Sequence, residues 1–120
     1  LLLIFLERPV MIISLMVILH IDTSSRERIL VMVEKDGDKI KVFHASKVLR
    51  SQALLPLIEK TFKKYRLKLS DFEEIKVNPG PGSFTGLRVG VAVANALGWT
   101  LGITVNGKDV RKEPAEPLYG

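Results

Sequence analysis

The chain of 120 residues contains no cysteine. That absence excludes disulfide frameworks, thiolate nucleophiles and zinc–thiolate centres together, and it fits a reducing compartment. Histidine is scarce as well. Only His20 and His44 occur, too few for a histidine-built metal site. Internal repeats and low-complexity tracts are missing, which argues against solenoid and disordered classes. A membrane-spanning run is also missing. The stretch LLLIFLERPVMIISLMVILHI is apolar, but Glu7, Arg8 and Pro9 interrupt it. The piece Val10–Leu19 is about half of the roughly 20 residues that a spanning helix needs. No basic region precedes it and no small-residue cleavage site follows. Residues 1–15 therefore read as an over-extended start or an apolar leader, with translation beginning at Met11 or Met16. A membrane anchor and an extra structured segment are the alternatives. The expectation is one domain over residues 16–106, an extended C-terminal tail over 107–120, and no membrane.

What is present is a core-forming composition. Apolar residues make up 47% and charged residues 26%, enough for one folded domain. The net charge is +5, and Lys60, Lys63, Lys64, Arg66 and Lys68 carry much of it. Such a cluster reads either as a solvated helix end, where cations complement the C-terminal dipole, or as an electrostatic footprint for a nucleic acid or acidic partner.

Val17–Ile21 is an apolar run stopped by Asp22-Thr23-Ser24-Ser25, a buried strand followed by a polar turn. Arg28–Glu34 reads as a second strand. Asp36-Gly37 then supplies the positive φ of a tight hairpin. Lys39–Ala45 reads as a third strand, with Ile40, Val42 and His44 alternating against Lys39, Lys41 and Phe43. Ser51 offers an N-cap to a helix reaching Tyr65, on which Leu54, Ile58, Phe62 and Tyr65 recur at helical spacing. Pro56 falls in its early turns. Ser70, Asp71 and Phe72 mark a loop and Glu74–Val77 a fourth strand. A second helix runs from Thr85 or Gly86 to Leu97, with Gly98 and Gly102 as stops, and Leu101–Val105 is a fifth strand. The order β-β-β-α-β-α-β predicts an α/β fold, a mixed five-stranded sheet with two main helices. The closing β-α-β unit makes its two strands parallel.

Two motifs carry the functional question. The first is NPGPGSFTGLRVG, Asn78–Gly90. It lacks the lysine of a phosphate-binding Walker loop, and Pro81 and Thr85 stand where a nucleophile elbow needs glycine. Gly80, Gly82 and Gly86 approach a dinucleotide fingerprint, one residue too long. A sharp turn capped by Ser83 or Thr85 explains these residue types. Anion contact at the helix N-terminus is the other reading, with Asp22, Thr23, Gly80, Gly82, Ser83 and Thr85 as contact candidates. Asp22 also suits a metal-dependent nuclease, but such chemistry needs several converging carboxylates; Glu34 lies at a strand end, and no clear set of partners accompanies it.

The second motif is LRVGVAVANALGW, Leu87–Trp99, apolar nearly all round. Leu87, Val91, Ala94 and Leu97 make one face; Val89, Val93 and Ala96 make another. A helix lying on a sheet needs one apolar stripe, so the second face needs another cover. Small residues at Gly90, Ala92, Ala94 and Ala96 permit close approach by a neighbouring helix. Each large aliphatic side chain left in water forgoes about 1.5–3 kcal/mol.

ILHIDTSS, SQALLPLIEKTFKKYRLKLSDFEEIKV and NPGPGSFTGLRVGVAVANALGWTLGITV together resemble the N-terminal domain of the TsaB (YeaZ) family, over Val17–Val105. The run Gly80–Arg88 is the most specific part. The resemblance implies an ASKHA/RNase H-like single domain of the Gcp-like kind. It implies a non-catalytic scaffold subunit of the tRNA N6-threonylcarbamoyladenosine (t6A) pathway. In that family the subunit pairs with TsaD, which carries the metal and the threonylcarbamoyl transfer, and the TsaE ATPase joins them. The implied pairing surface lies on the helices Ser51–Tyr65 and Gly86–Leu97, with Leu54, Leu55, Ile58, Phe62, Leu87, Arg88, Val91, Ala94 and Asn95 as its candidates. No intrinsic cofactor or catalytic residue is expected. Partners are a TsaD-like protein, a TsaE-like ATPase, a second copy when no partner is present, and tRNA indirectly through the complex. The location is cytoplasmic.

The chain departs from the family at three points. Arg50 stands where the family has histidine before Ser-Gln, and no counterpart of TsaD's metal-binding histidines occurs near Gln52–Ile58. Where the family continues into a second ASKHA-like domain, this sequence reads EPAEPLYG, which is like the family's C-terminal tail. Two rivals from other classes stay open: an RNase H-like metal-dependent nuclease using Asp22, and a single-domain nucleotide-binding protein using Gly80–Thr85.

Overall fold

Strands that are apolar at nearly every position pack on both faces, and the apolar runs Val17–Leu19 and Ile29–Val33 lie in interior strands of the sheet. The computed structural model describes residues 4–5, 9–10, 16–45 and 50–119. Two short strands, β1 (Ile4–Phe5) and β2 (Pro9–Val10), pair antiparallel. The remainder of the leader lies outside the described residues. The main sheet comprises β3 (Val17–Asp22), β4 (Arg28–Lys35), β5 (Asp38–Ala45), β6 (Glu74–Val77) and β7 (Thr104–Val105). Its order is β5–β4–β3–β6–β7. The first three strands form an antiparallel meander, and β6 runs parallel to both β3 and β7. The two helices are α1 (Arg50–Tyr65) and α2 (Phe84–Leu101).

The β4–β5 hairpin turns at Asp36 and Gly37, with φ of 51° and 88°. Positive φ at both central residues matches the right-handed twist of the flanking strands. One face of the sheet presents Val17, Leu19 and Ile21 from β3, Ile29, Val31 and Val33 from β4, Ile75 and Val77 from β6, and Val105 from β7, all buried. Leu54, Leu57 and Ile58 of α1 and Leu87, Val91 and Ala94 of α2 close over them. On the opposite face Ile18 and Met32 are also buried, beside a half-buried pair in which His20 Nε2 lies 2.9 Å from Glu34 Oε1. The alternation expected over residues 41–45 lies outside the described side chains.

Several boundaries differ from expectation. Helix α1 begins at Arg50, which puts Ser51 inside the helix rather than before it. Residues Leu69–Asp71 form a single 3-10 turn, with Asp71 Oδ2 accepting from the Lys68 amide at 2.8 Å. Helix α2 runs past Gly98 to Leu101, so the closing strand shrinks to Thr104–Val105. The stop is Gly102 alone, left-handed at φ 69°, its N–H bonded to the Gly98 carbonyl. A glycine inside a helix costs about 1 kcal/mol against alanine. Gly98 is kept by contact, because a Cβ there would lie 2.6 Å from Val105 Cγ2. Gly90 likewise abuts the side chain of Thr23, at the end of β3. Its small size serves approach to the sheet, not to a neighbouring helix as the sequence suggested.

Helix α1 ends in a Schellman pair: the Leu67 amide bonds to the Phe62 carbonyl at 2.8 Å and the Arg66 amide to the Lys63 carbonyl at 3.3 Å. The left-handed residue is Arg66, at φ 55°. Glycine is usual there, and a side chain costs about 1–2 kcal/mol.

Beyond β7, Asn106 clasps β6: its side chain accepts from the Val77 amide at 2.9 Å and donates to the Val77 carbonyl at 3.0 Å. A turn follows in which the carbonyl of Asp109 accepts from the amides of Lys112 and Glu113. The chain then crosses to α2 without regular structure. Replacing Gly90 by valine is expected to lower stability by about 1–3 kcal/mol through overpacking against Thr23. Urea unfolding checks this, and an unchanged midpoint would show the contact to be slack.

Candidate functional site

Strand β3 leads away to β4 on one side, while its parallel neighbour β6 leads to β7 on the other. Their carboxyl ends therefore form a topological switch point, the place where open α/β sheets present a crevice. Asp22-Thr23-Ser24 and Asn78–Ser83 meet there. The Asp22 carboxylate accepts from the Ser24 amide at 2.9 Å, the Ser24 hydroxyl at 2.6 Å and Asn78 Nδ2 at 3.2 Å. Burial pushes its pKa up, but these hydrogen bonds and the nearby Arg28 charge outweigh that and hold it below its ordinary value of 3.8. Thr23 is fully buried and donates to the Gly86 carbonyl at 2.6 Å. Gly82 lies against Ser24, where a Cβ would come 2.5 Å from the carbonyl oxygen. The Ser83 amide donates to that same carbonyl at 2.8 Å, and its hydroxyl accepts from the Gly86 amide at 3.3 Å, making Ser83 the N-cap of α2.

Gly80 adopts φ 114° and precedes a cis peptide bond to Pro81. Its amide donates to Asn78 Oδ1 at 3.0 Å. The backbone of Leu118 lies directly against it, and the Leu118 amide donates to the Pro79 carbonyl at 2.6 Å. Of the six anion candidates, Asp22, Thr23 and Ser83 have their polar atoms committed within the chain, Gly80 and Gly82 serve close approach, and Thr85 is exposed. Glu34, the acid considered beside Asp22, is bonded to His20 instead. Among the described residues no group of three or more metal-ligating side chains converges.

The helices divide differently from the sequence reading. Leu54, Ile58, Leu87, Val91 and Ala94, placed on a partner surface from sequence, are core residues; Val91 is only 4% exposed. The stripe they form is the one that lies on the sheet. Phe62 is half-buried and stacks on Phe72 with centroids 4.8 Å apart. Asn95 holds the tail by a reciprocal pair, donating to the Ala115 carbonyl and accepting from its amide, each at 2.9 Å. Of the nine candidates only Leu55, at 53%, and Arg88 are exposed.

The outward face of α2 consists of other residues. Ala92 and Ala96 are exposed, while Val89 and Val93 are half-buried on its flanks and pack partly against the core. These four recur at i, i+3, i+4 and i+7, one row along the helix. Phe84, at 57%, and Trp99, at 56%, stand near its two ends. Arg88 lies over the Phe84 ring at 5.5 Å, with Tyr119 of the tail against the same ring at 4.4 Å. Val89, Val93 and Ala96 are the second face that the sequence identified. Phe84 and Trp99 had no such signal, since a helix end reveals its exposure only once its length is known. The signal that separates the two stripes is the glycine set Gly86, Gly90 and Gly98, all buried on the sheet side.

The profile of the family described as "TsaD: tRNA N6-adenosine threonylcarbamoyltransferase" matches residues 45–107, about half of the chain. The tRNA threonylcarbamoyladenosine biosynthesis protein TsaB of Bacillus subtilis is 31% identical over 91 residues, covering 76% of this chain and 40% of the relative. The protein of the same description from Escherichia coli is 33% identical over 80 residues, 67% of this chain and 34% of the relative. The solved structure of YeaZ from Pseudomonas aeruginosa superposes with a TM-score of 0.70 at 29% identity, over 75% of this chain and 42% of that one. A mixed sheet with two helices on one face, matched in this way, defines the class: an ASKHA/RNase H-like domain of the TsaD-like kind. Within it, the chain belongs to the TsaB (YeaZ) family. It spans about two fifths of the length of the Bacillus relative and of the Pseudomonas structure.

Because the folded pKa of Asp22 is depressed, its contribution to stability is complete above the unfolded value and is lost as pH falls through the folded one. Asp22→Asn is therefore expected to flatten the acid limb of stability below about pH 4. Thermal unfolding measured between about pH 6 and about pH 2 tests this; an acid limb identical to that of the unsubstituted chain would contradict it.

Proposed function

We propose that this chain is a non-catalytic scaffold subunit of a tRNA N6-threonylcarbamoyladenosine-forming complex. It pairs with a TsaD-like protein and supports that partner's threonylcarbamoyl transfer to tRNA. The observation that carries the reading is the row Val89, Ala92, Val93, Ala96 on α2, extended by Phe84 and Trp99, together with exposed Leu55 on α1. An apolar helix row with two alanines lets another helix approach closely, and an exposed tryptophan is the residue type most often found to anchor such contacts. The names of the relatives and the TsaD-like profile supply the chemistry of the partner. Asp22 supports a subunit that performs no transfer itself, because its carboxylate is occupied by Ser24 and Asn78. A TsaE-like ATPase completes the assembly, a second copy takes the same face when no partner is present, and the setting is cytoplasmic. In this reading tRNA reaches the chain through the complex.

Co-expression with the TsaD-like protein of the same organism tests the proposal. Ala96→Asp and Leu55→Asp are expected to abolish co-purification while the single chain keeps its circular dichroism. Trp99→Ala should weaken pairing by about tenfold or more. Val91→Asp serves as contrast, since a carboxylate in the core unfolds the domain instead. Undiminished pairing by both Ala96→Asp and Leu55→Asp would overturn the reading.

A further inference from the structure

We propose that the C-terminal end of α1 is a direct contact site for an RNA phosphate backbone, so that tRNA touches this chain and is not held by its partner alone. The inference rests on the scaffold reading only for its choice of RNA among polyanions.

Five cations occupy nine residues there: Lys60, Lys63, Lys64, Arg66 and Lys68. Among the described residues only Lys63 is neutralised by a neighbour, pairing with Glu59 at 2.8 Å. Lys60, Lys64, Arg66 and Lys68 are exposed and form no ion pair with another described residue. Lys64 lies 5.6 Å from the centre of the Tyr65 ring, which places an aromatic face among the charges. Cations interleaved with an aromatic ring can grip phosphates and stack a base.

The helical phase separates this flank from the partner face. Phe62 turns toward Phe72, on the side of β6 and α2. At about 100° per residue, Lys60 and Lys64 point to nearly the opposite side of α1, toward the open β5 edge. Pairing through α2 thus leaves them accessible. Arg66 adds a second line of support. It occupies the left-handed position of the Schellman turn, where glycine would be the least strained residue, and it lines one hollow together with Lys35 of β4. That hollow also contains Asp71 and Glu73. Asp71 is committed to the Lys68 amide, and both acids lie on the wall formed by the 3-10 turn and the entry to β6. The phosphate path therefore follows the Lys60–Lys64 flank and not the hollow itself.

The test uses the full chain and bulk bacterial transfer RNA, with binding followed by fluorescence anisotropy at several salt concentrations. Replacing Lys60, Lys64 and Lys68 together by glutamine keeps polar stems and avoids placing acids at the negative end of α1. The expected result is an affinity loss of about tenfold or more and a salt slope reduced by about two to three. The same substitution in Arg111 and Lys112, also exposed cations, should change neither quantity. Pairing with the TsaD-like protein is measured on the same variants. Unchanged RNA affinity and slope in the triple variant, with pairing intact, would overturn this inference and leave the scaffold reading standing. Reduced RNA binding by a chain that never pairs would do the reverse. Binding of polyglutamate in preference to RNA would also overturn it, by showing an acidic-peptide site.

Discussion

The close approach of α2 to the ends of the parallel strands is the constraint on which the remaining arrangement depends. Thr23 is buried at the end of β3, bonded to the Gly86 carbonyl and pressed against Gly90. Four residues further along the chain than a full turn beyond Gly90, Gly98 meets Val105 of β7 in the same manner. Two backbone-level contacts thus fix both the rotation and the tilt of one helix over three strands. Once that rotation is set, Leu87, Val91 and Ala94 must face the sheet. Ala92 and Ala96 then face away from it, with Val89 and Val93 on the flanks.

This constraint also explains why the loop Asn78–Ser83 is rich in glycine and proline without being an obvious ligand cradle. The helix must start close to Ser24, so Gly82 passes against that residue and Ser83 bonds to its carbonyl. Asp22 then gathers Ser24 and Asn78 into one network joining the ends of two parallel strands. The residue types of a nucleotide site are present at the switch point of the sheet, and the chain itself satisfies most of their hydrogen-bonding capacity.

Much of the scaffold was legible beforehand because its signals are local. Asp36-Gly37 announced the hairpin, Ser83 was one of two cap candidates for α2, which starts at Phe84, slightly before the expected Thr85 or Gly86, and apolar runs bounded by polar turns announced β3, β4 and β6. The errors were of a different kind. Helix α2 is apolar nearly all round, so periodicity could not say which stripe met the sheet, and the partner residues were drawn mostly from the buried one. Gly98 looked like a terminator because its tertiary contact with Val105 is invisible in sequence. Asn95 looked like a surface polar residue because its partner, Ala115, lies twenty residues away. Each error traces to a long-range contact overriding a local propensity.

The clasp of Asn106 on Val77 has a further chemical consequence. Asn106 precedes Gly107 and sits in a left-handed turn with φ 51°. Asparagine followed by glycine is the peptide sequence most given to cyclising to a succinimide, which hydrolyses to an acid. The amide nitrogen lost in that reaction is the one that donates to the Val77 carbonyl. The carboxylate left behind would face that carbonyl oxygen with no proton to offer, so β6 and β7 are joined by a bond with a built-in chemical lifetime.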